Sequence, residues 1–310
     1  MNKNLPYLLC FLFCLFSPMA YAQQPIEKWV SRYDSKGSQN EFSGYIAVDE
    51  LGNSYITGTT NRTEAAYVIS GSIVTVKYSP TGEELWAKVF RQDQSSRPAA
   101  ITVDNSGGVY VTGYTGYVVG EHDYVTIRYD AATGEESWVQ QYNGPANGSD
   151  EPSDIVVDNK GGVYVTGASS NFPGGIVITD FATIRYDAAT GVESWVQRYK
   201  EPTNGRATPA AIAVDNTGNL YVIGYSSDNN ENTSYATVSY EASTGTQRWV
   251  SYYTSGNNSY ASAIAVDNQG GVYVTGDSYS GNNKQLRHHP LRCRHRQGEL
   301  AYALYRREQQ

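Results

Sequence analysis

The amino-acid sequence predicts an all-β fold built from a repeated unit of four strands. The chain of 310 residues holds 27 Tyr but only 7 Phe, together with 30 Gly, and its Val, Ile and Thr lie in short runs between turns. This composition is typical of strands and turns, and it disfavours a helical bundle, a coiled coil or a disordered chain. In addition, the same two motifs alternate along the chain, and the first recurs at intervals of 52 to 57 residues.

The first motif predicts a hairpin of two strands, A and B. It reads Ile-Val-Val-Asp-Asn-Lys-Gly-Gly-Val-Tyr-Val-Thr-Gly from Ile155, with an apolar strand before the turn and a Tyr-containing strand after it. Glycine supplies the positive φ angle that such a tight turn needs. The five copies are anchored by Asp49, Asp104, Asp158, Asp215 and Asp267.

The second motif predicts strands C and D, and it reads Ala-Thr-Ile-Arg-Tyr-Asp-Ala-Ala-Thr-Gly-Val-Glu-Ser-Trp from Ala182. Its structural residues are the tryptophans Trp29, Trp86, Trp138, Trp195 and Trp249 and the turn glycines Gly82, Gly134, Gly191 and Gly245. Because the spacing from glycine to tryptophan is the same in every copy, we expect these residues to pack neighbouring units together and not to form a cofactor site. Four antiparallel strands per repeat, with this long period, predict a β-propeller of about five blades whose last blade is incomplete.

The start of the chain differs from the repeats. Residues 1–22 have a basic beginning, an apolar run over 5–16 and an Ala-Tyr-Ala cleavage site, which together predict a secretory signal peptide. The apolar run is too short to span a membrane, and we expect no membrane span elsewhere. The repeats occupy 23–283. Because a signal peptide precedes them, we expect the protein to be secreted to the periplasm, the cell surface or the medium. Residues 28–33, around Trp29, should form a lone strand D that completes the last blade.

The end of the chain also departs from the repeat. Residues 284–310 hold seven Lys or Arg but only two Asp or Glu, and they fit no blade although strand C of the fifth blade is due there. Codons for residues 286–305 can be chosen so that the frame one base later reads Tyr-Ala-Thr-Ile-Arg-Tyr-Asp-Ala-Asp-Thr-Gly-Lys-Glu-Ser-Trp. Since the encoded residues fix most of the bases, accidental recovery of this motif is very improbable. We interpret the basic tail as a frameshift product, with a natural basic tail as the alternative.

Few side chains in the repeats could carry chemistry. The repeats contain no Cys and one His, His122, so they can assemble neither a cysteine nucleophile nor a zinc cluster. His122 is expected to be a solvated loop residue. The sequence therefore predicts no catalytic, cofactor-binding or metal residue, although the many acids leave a carboxylate-only mechanism open.

Calcium is the one metal that the sequence leaves open. The Asp-Asn-x-Gly-Gly turns supply too few oxygen ligands for calcium, which takes about six to eight. We therefore interpret them as turns and expect no cofactor. Calcium stays an alternative where further acids join, near Asp150, Glu151 and Asp154.

The connections between strands predict where a ligand binds. The A–B and C–D turns have constant lengths, whereas the B–C and D–A connections vary. In a four-stranded antiparallel blade the two variable connections lie on the same face, which we call the loop face. Its segments, such as 226–234 and 255–260, are rich in Asn, Ser, Gly and Tyr and suit adaptable binding of a protein or glycan, although the ligand itself is unknown. The acidic repeats disfavour nucleic acid.

These repeats resemble the bacterial SBBP-type β-propeller repeat family, whose units read Val-Asp-x-x-Gly-Asn-x-Tyr-Val-Thr-Gly. The second motif resembles the tryptophan-docking repeat of quinoprotein propellers, from which it departs at the first position, Tyr129. The resemblance implies a secreted or surface-exposed propeller but no single activity. We expect a non-catalytic protein for binding or scaffolding at the bacterial envelope. The alternative is a propeller enzyme, either a quinone-dependent dehydrogenase or a carboxylate-based hydrolase or lyase.

Overall fold

A computed structural model describes residues 27–34, 40–64, 68–92, 95–116, 121–171, 178–254, 258–267, 269–280 and 283–285. These residues form strands and turns without any helix, so the all-β prediction is confirmed. The strands are β1 (Asn40–Val48), β2 (Ser54–Glu64), β3 (Val68–Tyr78), β4 (Glu84–Phe90), β5 (Ser95–Val103), β6 (Gly108–Gly116), β7 (Asp123–Asp130), β8 (Glu136–Tyr142), β9 (Asp150–Val157), β10 (Gly162–Asn171), β11 (Ile178–Asp187), β12 (Glu193–Tyr199), β13 (Arg206–Val214), β14 (Asn219–Ser227), β15 (Thr233–Glu241), β16 (Gln247–Tyr253), β17 (Ser259–Val266), β18 (Val272–Ser280) and β19 (Asn283–Gln285).

The strands form five separate antiparallel sheets in chain order. Blades 1 to 4 are the four-stranded sheets β1–β4, β5–β8, β9–β12 and β13–β16, and blade 5 is the three-stranded sheet β17–β19. Each sheet is a simple meander, as a propeller blade requires. The predicted class, four-stranded antiparallel blades with an incomplete fifth, is therefore confirmed. Within the described ranges no strand ladder joins blade 5 to blade 1.

The hydrophobic core lies between adjacent blades. The Trp138 ring packs between Tyr110 of its own blade and Tyr186 of the next, with ring centroids 5.9 and 6.0 Å away. Its Nε1 donates a hydrogen bond of 3.1 Å to the Ala188 carbonyl of the next blade. Gly191 has a φ of +73°, and a Cβ there would come within 2.7 Å of the Trp138 ring, so only glycine fits. Trp86 and Trp195 likewise meet the turn glycines Gly134 and Gly245 of the following blade.

The turn aspartates use their oxygens within their own hairpins. Asp158 Oδ1 accepts backbone hydrogen bonds of 2.8 Å from Lys160 and Gly162, and Oδ2 accepts one of 2.8 Å from the Tyr164 hydroxyl. The bond from tyrosine to aspartate recurs in all five blades. The aspartate therefore closes the A–B turn and anchors strand B.

The first blade shows what happens to a strand A with no blade before it. Ile46 is 64% exposed, whereas its counterpart Ile155 in blade 3 is only 5% exposed. Tyr33 packs against the strand C residues Val74, Val76 and Tyr78 of blade 1. Phe90, the last aromatic residue of β4, packs in the same way against blade 2.

The ends of the chain give one correction and two untested predictions. Residues 27–34 form no strand, so the predicted strand D at 28–33 is wrong for the described structure. A strand D needs a strand C of its own blade as ladder partner, and the described part of blade 5 offers only the short β19. The predicted signal peptide and residues 286–310 of the basic tail lie outside the described residues.

Candidate functional site

A cavity of about 490 Å³ opens on the loop face of blade 3, where β10 and β11 meet the link from β12 to β13. It is lined by Asn171, Ile178, Asp180, Lys200, Glu201 and Asn204. A smaller cavity of about 210 Å³ lies on the opposite turn face, but residues of the repeat motifs line much of it, such as Asp104, Tyr110 and Arg128. The loop-face cavity is therefore the candidate site.

One residue of the cavity wall, Asp180, forms an ion pair with Arg198 behind it. The Asp180 side chain is 1% exposed, and its Oδ2 lies 2.8 Å from Arg198 Nη2 and accepts a 3.0 Å hydrogen bond from Asn171. Arg198 Nη1 also donates to the Tyr142 hydroxyl at 2.9 Å and to Ser169 Oγ at 2.6 Å. Burial alone would lower the pKa of Arg198, but its bonds to Asp180 and Tyr142 raise it. Several partners thus satisfy the buried guanidinium.

A second buried carboxylate, Asp150, lies beside this pair. It is fully buried, and its Oδ2 accepts a 2.6 Å hydrogen bond from the Gly144 backbone. Its Oδ1 has no hydrogen bond of acceptable geometry, although the Ser169 hydroxyl is near enough to moderate the charge. Burial raises the pKa of Asp150 above its ordinary value. The Gly144 backbone lies directly against Asp150. A Cβ at this position would come within 2.7 Å of Asp150 Oδ1 and 2.4 Å of Ser169 Oγ, so only glycine allows this close approach.

The rim of the cavity is held by a carboxylate inside the β12–β13 link. Glu201 Oε2 accepts hydrogen bonds of 2.7 to 2.8 Å from Thr203 N, Thr203 Oγ1 and Gly205 N. This arrangement fixes the link while the Lys200 and Asn204 side chains remain exposed. Asn204 adopts a φ of +62°, which asparagine tolerates better than most residues. A rigid link therefore presents one ammonium and one amide group at the mouth.

Among blades 1 to 4 the ion pair occurs in blade 3 only, unlike the packing residues. At the position of Arg198 in strand D, blades 1, 2 and 4 carry Val89, Gln141 and Tyr252. At the position of Asp180 in strand C they carry Ser72, Asp123 and Ser234. The repeat motifs do not reveal this site, because they contain only what the blades share. The usable signal in the sequence is Arg198, a charged residue where the other three blades place uncharged ones.

His122 differs from its prediction as a solvated loop residue. Its ring stacks on Tyr114 with centroids 4.5 Å apart, and its Nδ1 lies 2.8 Å from Glu151 Oε1. The Asp150 backbone N–H also donates to the His122 carbonyl, since β9 of blade 3 runs alongside this loop of blade 2. His122 therefore helps to join two blades.

The described residues can be compared with what a metal ion or a quinone cofactor needs. No group of three or more His, Cys, Asp or Glu side chains in these ranges is placed to hold a metal ion, and Asp150, Glu151 and Asp154 form no such group. Asp154 instead accepts backbone bonds from Ile155 and from Ile212 of the next blade. The tryptophans of blades 1 to 3 are held in the blade interfaces by bonds to the next blade, which leaves none of them as a stacking floor for a quinone. Nor do the described residues form a helix able to cross a membrane.

Comparison with known proteins supports the fold. No curated protein sequence matches this chain. Among solved structures it is similar to the hemagglutinin-neuraminidase ectodomain of parainfluenza virus 5, with a TM-score of 0.51 and 8% identity over 82% of this chain and 70% of that one. It is also similar to polysaccharide lyase Uly1 (TM-score 0.48, 14% identity, 76% of this chain and 54% of that one). A third is the quinohemoprotein alcohol dehydrogenase from Comamonas testosteroni (TM-score 0.45, 17% identity, 82% and 42%).

The likeness to the hemagglutinin-neuraminidase ectodomain shows the fold alone. The chain spans about half the length of the lyase and the dehydrogenase. The sequence families are more specific. Residues 43–63 match the SBBP β-propeller repeat, and residues 70–285 match the family described as outer membrane protein assembly factor BamB, a quinoprotein-type propeller. Both resemblances noted in the sequence are thereby confirmed. Because the second match covers more than half of the chain, the protein belongs to the propeller family described as outer membrane protein assembly factor BamB.

Proposed function

We propose that the protein is a secreted, non-catalytic β-propeller that binds a protein or glycan ligand at the bacterial envelope through the loop-face cavity of blade 3. The observation that carries this proposal is the Asp180–Arg198 ion pair, which among blades 1 to 4 occurs only in blade 3 and holds Asp180 in the wall of the cavity. A buried ion pair contributes little net stability in general, so a role in shaping the cavity explains it better.

The chemistry of the cavity suits a polyhydroxylated or peptide ligand. Its volume of about 490 Å³ lies within the usual range of ligand pockets. Lys200 and the amides of Asn171 and Asn204 can donate hydrogen bonds, while Asp180 and the amide oxygens can accept them. Sugar hydroxyls and peptide groups need both donors and acceptors. The assignment to the envelope rests on residues 1–22 and on the family.

A binding screen tests the proposal. The mature protein would be applied to a glycan array and, immobilised, to a solubilised bacterial envelope fraction. We expect a saturable ligand that protects the amides of the 200–205 link from hydrogen exchange. A ligand that protects only the turn face, for example around Lys160, would contradict the proposed site.

A carboxylate-based hydrolase or lyase is the second candidate, and Asp150 is the observation that favours it. Its raised pKa and its Oδ1 without a hydrogen bond suit a general acid, provided that the segment around Gly144 moves aside to admit a substrate. The test is a panel of polysaccharides incubated with the protein and assayed for new reducing ends or unsaturated products. Products that form with the wild type but not with Asp150→Asn would replace the binding proposal by the enzyme.

A further inference from the structure

Among the described residues, the interface between blades 4 and 5 lacks contacts that the three preceding interfaces share. Trp86, Trp138 and Trp195 each contact a tyrosine of their own blade and one in strand C of the next. Each also donates from Nε1 to a carbonyl of the next blade at 3.1 Å. Trp249 contacts Tyr221 of its own blade at 5.9 Å, and the described residues supply neither the second tyrosine nor the acceptor.

The three complete interfaces define what should lie against Trp249. In each, the strand C tyrosine is followed two residues later by the alanine whose carbonyl accepts the bond, and five residues later by the glycine on the ring. The three sets are Tyr129–Ala131–Gly134, Tyr186–Ala188–Gly191 and Tyr240–Ala242–Gly245. A Cβ on any of these glycines would come within 2.8 Å of the tryptophan or closer. The surface on Trp249 therefore selects a strand of the form Tyr-x-Ala-x-x-Gly.

The register of β19 fixes where that strand begins. Gln285 pairs with Ser278 of β18, just as Asp180 pairs with Ser169 in blade 3. In the blade pattern, the next strand C position after this pair corresponds to Phe181, and the one after it to Ala182. Blade 3 continues from Phe181 as Phe-Ala-Thr-Ile-Arg-Tyr-Asp-Ala-Ala-Thr-Gly.

One side of the Trp249 ring has no partner among the described residues, and we call it the open Trp249 face. We propose that its partner is the strand–turn–strand segment that is encoded when the codons of residues 286–305 are read one base later. That frame can read Tyr-Ala-Thr-Ile-Arg-Tyr-Asp-Ala-Asp-Thr-Gly-Lys-Glu-Ser-Trp, and it starts at the position that the β18–β19 ladder assigns to Phe181. Its second tyrosine, following alanine and glycine take the places of Tyr186, Ala188 and Gly191. Codon content and strand register thus select the same segment independently.

The first test is the DNA sequence and a frame-restored chain. One base is removed at the start of codon 286, and hydrogen exchange of the β18 amides is compared with that of the chain as it stands. We expect at least a tenfold slowing in β18, because the restored strand C would pair along its whole length. Unchanged exchange in β18, or DNA whose next frame does not encode the repeat, would overturn the proposal.

A matched pair of variants tests the contact itself. Trp249→Phe should leave the melting temperature of the present chain nearly unchanged, because the described residues offer its Nε1 no acceptor. In the restored chain it should lower the melting temperature by about 2–4 °C, as Trp195→Phe should in both chains.

Should the restored chain not fold, the segment can be added as a synthetic peptide, with its Thr-Gly glycine changed to valine as control. Equal binding of both peptides, or none, contradicts the docking.

Discussion

Asp180 and Arg198 form an ion pair of 2.8 Å in which the carboxylate is almost completely buried. Replacement of Asp180 by alanine leaves a guanidinium half-enclosed without its main partner. We expect the free energy of unfolding to fall by about 3–5 kcal/mol. The double variant Asp180→Ala, Arg198→Met should recover much of the loss, measured by chemical denaturation. Equal losses in the single and double variants would show that the pair does not act as a unit.

The tryptophan that joins two blades should dominate the stability of its interface. Trp138→Ala removes a buried ring, two aromatic contacts and the bond to Ala188. We expect a loss of about 3–5 kcal/mol, with similar losses for Trp86→Ala and Trp195→Ala. The measurement is equilibrium denaturation in urea. A variant that folds normally but no longer binds ligand would contradict the packing role for that blade.

Two tyrosines of blade 3 should respond in opposite ways to loss of their hydroxyl. The Tyr164 hydroxyl donates to Asp158 at 2.8 Å, whereas the Tyr186 hydroxyl is buried without a protein partner. Tyr164→Phe should cost about 1–3 kcal/mol because it leaves Asp158 short of a donor. Tyr186→Phe should leave the free energy of unfolding unchanged or raise it. The measurement is thermal melting of the two variants under the same conditions. A large loss for Tyr186→Phe would point to a bound water at that hydroxyl.

The pH dependence of stability should differ between two aspartates. Burial raises the pKa of Asp150, so the folded state binds the proton of this carboxyl group more tightly than the unfolded state does. The free energy of unfolding should therefore fall as pH rises above about 3.9, the ordinary pKa of an aspartate in an unfolded chain. Asp150→Asn should therefore gain stability relative to wild type between pH 4 and pH 7. Burial opposes the charge of Asp215 as well, but hydrogen bonds from Asn219 and Thr217 lower its pKa.

Asp215→Asn is therefore the matched control with the opposite sign. The ionised form of Asp215 stabilises the fold above about 3.9, and this contribution is lost as pH falls through the lowered pKa. The variant should lose more stability at pH 7 than near pH 3. Denaturation curves at several pH values give both slopes. The same slope for both variants would contradict the two assigned shifts.

The sequence predicted the fold well because the fold is repetitive. A single short segment leaves the assignment of strands and turns ambiguous, but five aligned copies of one motif agree on it. The four-stranded blade and the incomplete fifth blade therefore follow from the sequence pattern alone. The partner of each glycine was harder to predict, because the contact of Trp138 with Gly191 crosses between blades and depends on their packing. The lone strand D at 28–33 failed because a strand needs a ladder partner that sequence motifs do not guarantee.

The candidate site was predicted only as far as the face of the molecule. Loop lengths indicate the loop face, and the sequence singles out Asp150 only as part of a calcium alternative. Its proximity to Arg198 depends on three strands and a link meeting in space, with Gly144 leaving room for them. Such a constellation has no local sequence signature. It is visible only as a departure from the repeat.

The central claim, that ligand binds on the loop face at blade 3, is tested most directly by the affinity of matched charge variants. Once a ligand is identified, its dissociation constant would be measured for Lys200→Glu, Asn171→Asp and Asn230→Glu on the loop face. Lys160→Glu and Thr217→Glu on the opposite turns are the controls, and melting temperatures are recorded for all five. We predict that Lys200→Glu weakens binding at least about tenfold, which corresponds to about 1.4 kcal/mol, with little change in melting temperature. Equal weakening by Lys160→Glu, or unchanged affinity in Lys200→Glu and Asn171→Asp, would contradict the account.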